Sequence, residues 1–218
     1  MRGRHDSRAV LVSDARLVWA GLVFCLAGGV VNWPFDNMAP FSYDLIIADP
    51  PWSFKTYSLK GKGKSADAHY ECQDLDWIKS LPVGDLANKD CLLWLWATNP
   101  MLPEAFDVMR AWGFKYKTAG HWSKKTKGGK QAFGTGYVLR CAGEPFLIGT
   151  IGKPKTSKSV RSVIEGPIRE HSRKPEESYA AAERLIPHAK RADLFSRQQR
   201  DGWDSWGNQT ELFGGANV

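Results

Sequence analysis

Apolar residues in this chain gather in short continuous runs divided by polar, Gly-bearing or Pro-bearing stretches. Continuous runs of this length mark strands buried on both faces, as in an α/β sheet, rather than the alternation of a half-exposed one. Ser42 to Asp49 is the first, with Tyr43, Leu45, Ile46, Ile47 and Ala48 in its body. Cys91 to Thr98, Phe114 to Ser123, Glu144 to Ile151, Ser159 to Glu165 and Arg191 to Phe195 read as further strands. Helical patterns fall between them: Leu75 to Leu81, stopped before Pro82, and Met101 to Trp112, ended by Gly113. A third helix starts at Pro175, carries Glu176 and Glu177 in its first turn, and runs to Ile186. Residues 54–73 and Lys124 to Gly136 are too polar and Gly-rich for a core, the former long enough for a lid and the latter a basic loop. The alternation predicts an α/β domain with no internal repeat and no second-domain boundary.

The start of the chain breaks that pattern. Leu17 to Val31 is a fifteen-residue apolar stretch behind Arg2, Arg4 and Arg8. It has the form of a signal-peptide core and is short for a membrane span. The expectation is a weakly constrained extension over residues 1–32, packed loosely or as an extra helix and arising from an upstream translation start. A single domain then follows over residues 33–218. An inner-membrane anchor is the less favoured alternative.

Composition adds little until charge is mapped. A hydrophobic fraction of 43% in 218 residues suits one large core, and ten tryptophans are many for it. Cys25, Cys72, Cys91 and Cys141 have neither metal-ligand spacing nor the density of a disulfide scaffold, so reduced thiols in a cytoplasmic protein are expected, and no metal. The net charge is +7, but from Arg110 to Lys174 fifteen Lys and Arg face only Glu144, Glu165 and Glu170. That concentration favours a polyanionic partner over a merely solvated face, because it lies between two candidate site motifs.

The first of those motifs ends the first strand: Asp49-Pro50-Pro51-Trp52. In an open α/β sheet, ligands bind beyond the carboxyl ends of the strands. Two consecutive prolines remove two N–H donors and fix two φ angles, so an acid, stiff carbonyls without competing donors, and an indole share one rigid loop. These are the groups needed to hold a planar base by its exocyclic amine. Asp49 as a turn carboxylate and Trp52 as a core aromatic are the plainer readings.

The tetrapeptide resembles the amino-methyltransferase signature, and its Trp form resembles the MT-A70 family of adenine-N6 methyltransferases. The resemblance continues through Tyr70, Cys91 to Thr98, Glu144 to Gly149, His171 to Glu177 and Trp206-Gly207-Asn208-Gln209, covering residues 33–213. It implies a Rossmann-like class I methyltransferase fold, with a mostly parallel central sheet, helices on both faces and a permuted motif order. It implies S-adenosylmethionine as cofactor, with Asp49, Pro50, Pro51 and Trp52 catalytic. Lys174 would pair with the methionine carboxylate near a helix N-terminus. Arg197, Asn208 and Gln209 would grip ribose and adenine, and Gln199-Arg200 departs from the His-Asn of some relatives. Tyr70 matches an aromatic on the family's mobile loop, and Trp52 would stack on a flipped or single-stranded base. Lys124, Lys125, Lys127 and Lys130 are candidate phosphate contacts.

The expected activity is methyl transfer to adenine N6 in nucleic acid, DNA favoured over RNA because no RNA-binding module is visible in the chain. A silent nucleic-acid-binding subunit of a methyltransferase heterodimer is one alternative, and a methyltransferase for another planar amine or amide the other. A homo- or heterodimer is compatible with either.

Overall fold

The computed structural model describes residues 23–26, 29–53, 73–170, 173–208 and 210. The chain divides into two units, Met1–Asn37 and Met38–Val218. In the first, β1 (Val23–Leu26) and β2 (Gly29–Asn32) pair antiparallel, with Leu26 opposite Gly29. The extra helix expected in the extension is therefore not what these residues form. Val and Phe favour the extended backbone.

The second unit is built on one seven-stranded sheet. Its strands are β3 (Tyr43–Ala48), β4 (Ala87–Trp96), β5 (Lys115–Lys125), β6 (Gly143–Ile151), β7 (Val163–Pro167), β8 (Arg191–Leu194) and β9 (Trp203–Trp206). Their order across the sheet is β7-β5-β6-β4-β3-β8-β9. Pairing is parallel at β5/β7, β4/β3, β3/β8 and β8/β9, and β6 runs antiparallel to both of its neighbours. The sheet is thus mixed, consistent with a Rossmann-like methyltransferase fold. Among the described residues, three α-helices accompany it: α1 (Leu75–Ser80), α2 (Leu102–Ala111) and α3 (Glu176–Leu185).

Strand alternation divides the core between the two faces. Leu45, Ile47, Leu92, Trp94, Trp96, Phe146 and Ile148 form one buried cluster with Ala181 and Ala182 of α3. Here the tryptophan excess is absorbed: Trp94 stacks on Phe146 at 4.1 Å between centroids, and Trp96 meets Trp122 edge-on at 6.3 Å. On the other face α2 covers β6, close enough that a Cβ at Gly149 would lie 2.8 Å from Met109 Sδ. Helices therefore flank both faces.

Two boundaries differ from the expectation in instructive ways. The strand expected at Ser159 to Glu165 is β7, Val163–Pro167. Just ahead of it the chain is bonded to α3: Ser157 donates its N–H to Leu185 O (2.8 Å) and its hydroxyl to Arg184 O (2.7 Å). Lys124 and Lys125, expected on a loop, are the last residues of β5. β9 has no expected counterpart, since an edge strand reading Trp-Asp-Ser-Trp lacks a continuous apolar run. The expected lid at 54–73 lies outside the described residues except for Gln73. Among the described residues no helix is long and apolar enough to cross a membrane.

Candidate active site

β3, β4 and β8 are parallel neighbours, so their carboxyl ends share one edge of the sheet. Chain order departs from β3 to β4 on one side and reaches β8 on the other, which makes β3 the point where strand order reverses. Because β6 is antiparallel to β4, its amino end reaches that same edge: Trp96 is opposite Phe146, and Ala97 N–H bonds Pro145 O at 3.0 Å. β5 delivers its carboxyl end there too, and β7 leads toward Lys174.

Asp49 leaves β3 with its N–H on Leu194 O at 3.3 Å. Its carboxylate accepts from Lys174 Nζ at 2.7 Å. Lys174, 8% exposed, also reaches Glu144 Oε2 at 3.2 Å, and Lys124 Nζ holds the other Glu144 oxygen at 2.5 Å. Lys174 further lies over the Trp96 ring, 5.4 Å from its centroid. The result is an alternating chain of charges, Asp49–Lys174–Glu144–Lys124. Burial works to raise the Glu144 carboxyl, but Lys174 and Lys124 outweigh it and hold it at about 2.

The proline loop is more engaged than the sequence implied. Pro50 O accepts the Trp52 N–H at 2.8 Å, and Pro51 O accepts the Gln73 N–H at 3.3 Å. The carbonyls do meet competing donors, although each oxygen keeps a second lone pair. Trp52 is 3% exposed and donates its indole N–H to Trp96 O at 3.0 Å. Its ring is fixed at the end of β4, where it borders a cavity of about 270 Å³ with Asp74, Leu75, Ile78 and Met101.

On the β8 side, Phe195 has φ +61°, the left-handed region that a bulky residue adopts only when its surroundings impose it. Trp206 and Trp77 meet its ring edge-on at 5.3 and 6.4 Å. The bend turns Ser196 back, so that its N–H bonds Trp206 O (2.9 Å) and its hydroxyl bonds Asp193 Oδ2 (2.9 Å). Tyr179 from α3 donates to the same Asp193 oxygen at 3.1 Å. Burial pushes the Asp193 carboxyl up to about 7, against the opposing pull of Ser196, Tyr179 and Arg200, with Asp49 adding to the rise. Arg200 stacks on the Tyr179 ring at 3.6 Å and, with Arg169, binds Glu176 at the start of α3.

Asp49, Lys174, Arg197, Arg200, Ser196 and Asp193 all line a small crevice between β3 and β8, of about 30 Å³, with Arg173 donating to Gln198 beside them. The structure brings Asp49, Lys174 and Arg197 to one crevice, with Lys174 paired to Asp49 and Glu144. Asn208 is exposed beyond β9 and does not line the crevice, while Tyr70 and Gln209 lie outside the described residues. Of the four lysines, Lys124 is spent on Glu144 rather than presented to a phosphate, and Lys125 pairs with Glu165 at 2.8 Å. Lys127 and Lys130 stand exposed on the turn after β5. The sequence reading had no role for Glu144 or Asp193. The available signal was a lone acid in each case, one among fifteen cations and one inside an apolar strand.

Comparison with known proteins matches this arrangement to a family. The MT-A70 family model matches residues 43–209. The chain is 28% identical over 196 residues to the Type II methyltransferase M.MunI of a Mycoplasma species, covering 80% of this chain and 82% of the relative. It is 30% identical over 207 residues to the N(6)-adenosine-methyltransferase MT-A70-like protein of Arabidopsis thaliana, covering 93% of this chain and 28% of that one. The human N(6)-adenine-specific methyltransferase METTL4 is 26% identical over 188 residues, covering 79% of this chain and 38% of the relative. The chain thus spans most of the first relative and about a third of the other two. It belongs to the MT-A70 family of methyltransferases, which use S-adenosylmethionine as methyl donor.

Proposed function

We propose that this chain methylates the exocyclic N6 of adenine in nucleic acid, with DNA ahead of RNA as the polymer. Family membership together with the Asp49–Lys174 pair at the mouth of β3 carries this reading. Two of the relatives compared are named for adenine or adenosine N6. The relative covered almost equally in both directions is the Type II methyltransferase, and on that likeness we rank DNA first.

The chemistry asked of the site is modest. Adenine N6 is flat because its lone pair is delocalised into the ring. Asp49 has acceptor capacity beyond Lys174, and Pro50 O has a second lone pair beyond the Trp52 N–H. Accepting the two amine hydrogens there draws the nitrogen toward a tetrahedral shape and aims its lone pair. S-adenosylmethionine, when bound, supplies an electrophilic methyl on a sulfonium sulfur. With it bound, the N6–carbon bond would form as the donor's sulfur–carbon bond breaks, and the surplus N–H proton would leave afterwards, to Asp49 or to water. Lys174 fixes the Asp49 carboxylate for this, and Glu144 fixes Lys174.

The crevice lining suits the cofactor's polar end: Asp49 complements an ammonium, while Arg200 and Arg197 complement a carboxylate and ribose hydroxyls. At about 30 Å³ it is smaller than a nucleoside, so binding entails rearrangement of its side chains. Trp52 forms the wall of the larger cavity, which we assign to the target base.

The test is transfer of labelled methyl from S-adenosylmethionine to DNA and to RNA, with nucleoside mass analysis of the digest. N6-methylated adenine nucleoside is expected with the wild type, and at least about a hundredfold less with Asp49→Ala. Near-normal turnover by that variant would remove Asp49 from the chemistry.

A further inference from the structure

The connection between β5 and β6 rises from the same sheet edge as Asp49, and the chemistry above makes no use of its tip. There Phe133, Val138 and Leu139 are 72%, 94% and 81% exposed. Contiguous exposed apolar residues at the rim of a site mark a surface that meets a partner. The tip is a built structure. Gly134 N–H bonds Cys141 O at 2.8 Å, which closes the neck. Inside it the chain folds so tightly that a Cβ on Gly136 would lie 1.9 Å from Leu139 O. At the base, the Gln131 amide donates to Lys124 O and Ala142 O, both at 2.8 Å, and so ties the end of β5 to the start of β6. Lys124 is the outer member of the charge chain that reaches Asp49, and Ala142 lies two residues before Glu144.

The surroundings of the tip say what it meets. Lys127, Lys130 and Arg140 are exposed on the same connection, and no acid occurs between Arg110 and Glu144. A partner complementary to cations around an apolar point has an anionic exterior and a hydrophobic interior, which describes stacked bases inside a phosphate backbone. Apolar side chains that enter nucleic acid part adjacent base steps. Adenine N6 in a duplex is held in a base pair and cannot reach Asp49 unless the base leaves the stack.

We propose that residues 133–140 form a wedge that enters the duplex beside the target adenine. Val138 and Leu139 fill the space that the extruded base leaves, and Lys127, Lys130 and Arg140 hold the flanking phosphates. The proposal rests on the adenine-N6 reading of the site. A second copy of this chain is the competing occupant of the same apolar tip.

The experiment compares labelled methyl transfer to sheared genomic DNA, native and heat-denatured, for the wild type and the Val138→Ser/Leu139→Ser double variant. The variant should lose about tenfold on native DNA and less than about twofold on the denatured strand, with an unchanged sedimentation coefficient. Gly136→Ala, which disturbs the fold of the tip but keeps its apolar residues, should give the same duplex-selective loss. Equal loss on both forms, or no loss on native DNA, overturns the wedge. A lighter sedimenting species assigns the tip to a contact between copies. A wild type active only on denatured DNA also overturns it, since no base needs extruding. If the wild type methylates RNA alone, the same comparison is made between duplex and single-stranded RNA. A wild type that methylates neither polymer refutes the adenine-N6 reading itself, an outcome distinct from failure of the wedge.

Discussion

Glu144 and Asp193 are two carboxyls at the same edge of one sheet, both withdrawn from solvent, yet the first is held at about 2 and the second pushed up to about 7. Burial acts on both in the same direction. The partners decide the outcome. Glu144 is gripped by two ammonium groups, Lys174 and Lys124, whereas Asp193 has the hydroxyls of Ser196 and Tyr179, with Asp49 opposing its ionisation. Glu144 therefore stays charged at neutral pH. The β8 side, where the crevice opens, carries an acid that changes charge there.

The strongest way to break the comparison is to remove the lysine shared by Asp49 and Glu144. Lys174→Met leaves two carboxylates facing a vacated charge, with only Lys124 to offset them. Removing one partner of a buried pair costs about 3 kcal/mol, and we expect that loss in urea unfolding together with at least about a hundredfold fall in methyl transfer. Unfolding unchanged to within about 0.5 kcal/mol would mean that the pair behaves as a surface pair does.

A pair of pH titrations sharpens the contrast. Glu144 is lowered on folding, so the unfolded chain binds more protons between pH 4.5 and 2, and its stabilisation, complete above that window, is lost as pH falls through it. Asp193 is raised on folding, so the folded chain binds more protons between pH 3.8 and about 7, and stability falls as pH rises through that range. Neither slope can exceed about 1.4 kcal/mol per pH unit, the limit for one proton. Glu144→Gln should flatten the acid limb only, and Asp193→Asn the limb toward neutrality only. Slopes rather than absolute stabilities are compared, because each amide also changes hydrogen bonds. Identical curves for Asp193→Asn and wild type between pH 4 and 7 would mean that burial does not govern Asp193.

These two carboxyls also mark what the sequence could convey. Asp49 was legible because a continuous apolar run ending in Asp-Pro-Pro-Trp places the acid at a strand's carboxyl end by local pattern alone. α2 and its Gly113 stop were legible for the same reason. Glu144 was not, because its approach to Asp49 depends on β6 running antiparallel to β4, a long-range choice that no local period encodes. The same choice brings in Lys124, which local sequence reads as one more loop lysine. Trp52 was read as a stacking platform, but its burial follows from an indole bond to the carbonyl of Trp96, 44 residues away. β9 went unseen because an edge strand needs few apolar residues.

The smallest expected effect comes from an ion pair that lies beside the buried chain without joining it. Lys125 contacts Glu165 at 2.8 Å, but the Glu165 side chain is 65% exposed. Water screens such a pair and its two side chains give up rotamer freedom to form it, so Lys125→Ala should change unfolding by no more than about 0.5 kcal/mol. The neighbouring Lys124 is held by Glu144 near the crevice and would not be so forgiving. If Lys125 also touches a phosphate, its loss appears elsewhere: the dependence of the logarithm of DNA affinity on the logarithm of salt should become shallower by about 0.9, with stability unmoved. An unchanged salt slope would assign Lys125 to Glu165 alone and leave phosphate contact to the exposed Lys127 and Lys130. A stability loss approaching that of Lys174→Met would show that the charge chain extends outward past Lys124, and the division between a buried, fixed pattern and a solvated one would have to be redrawn.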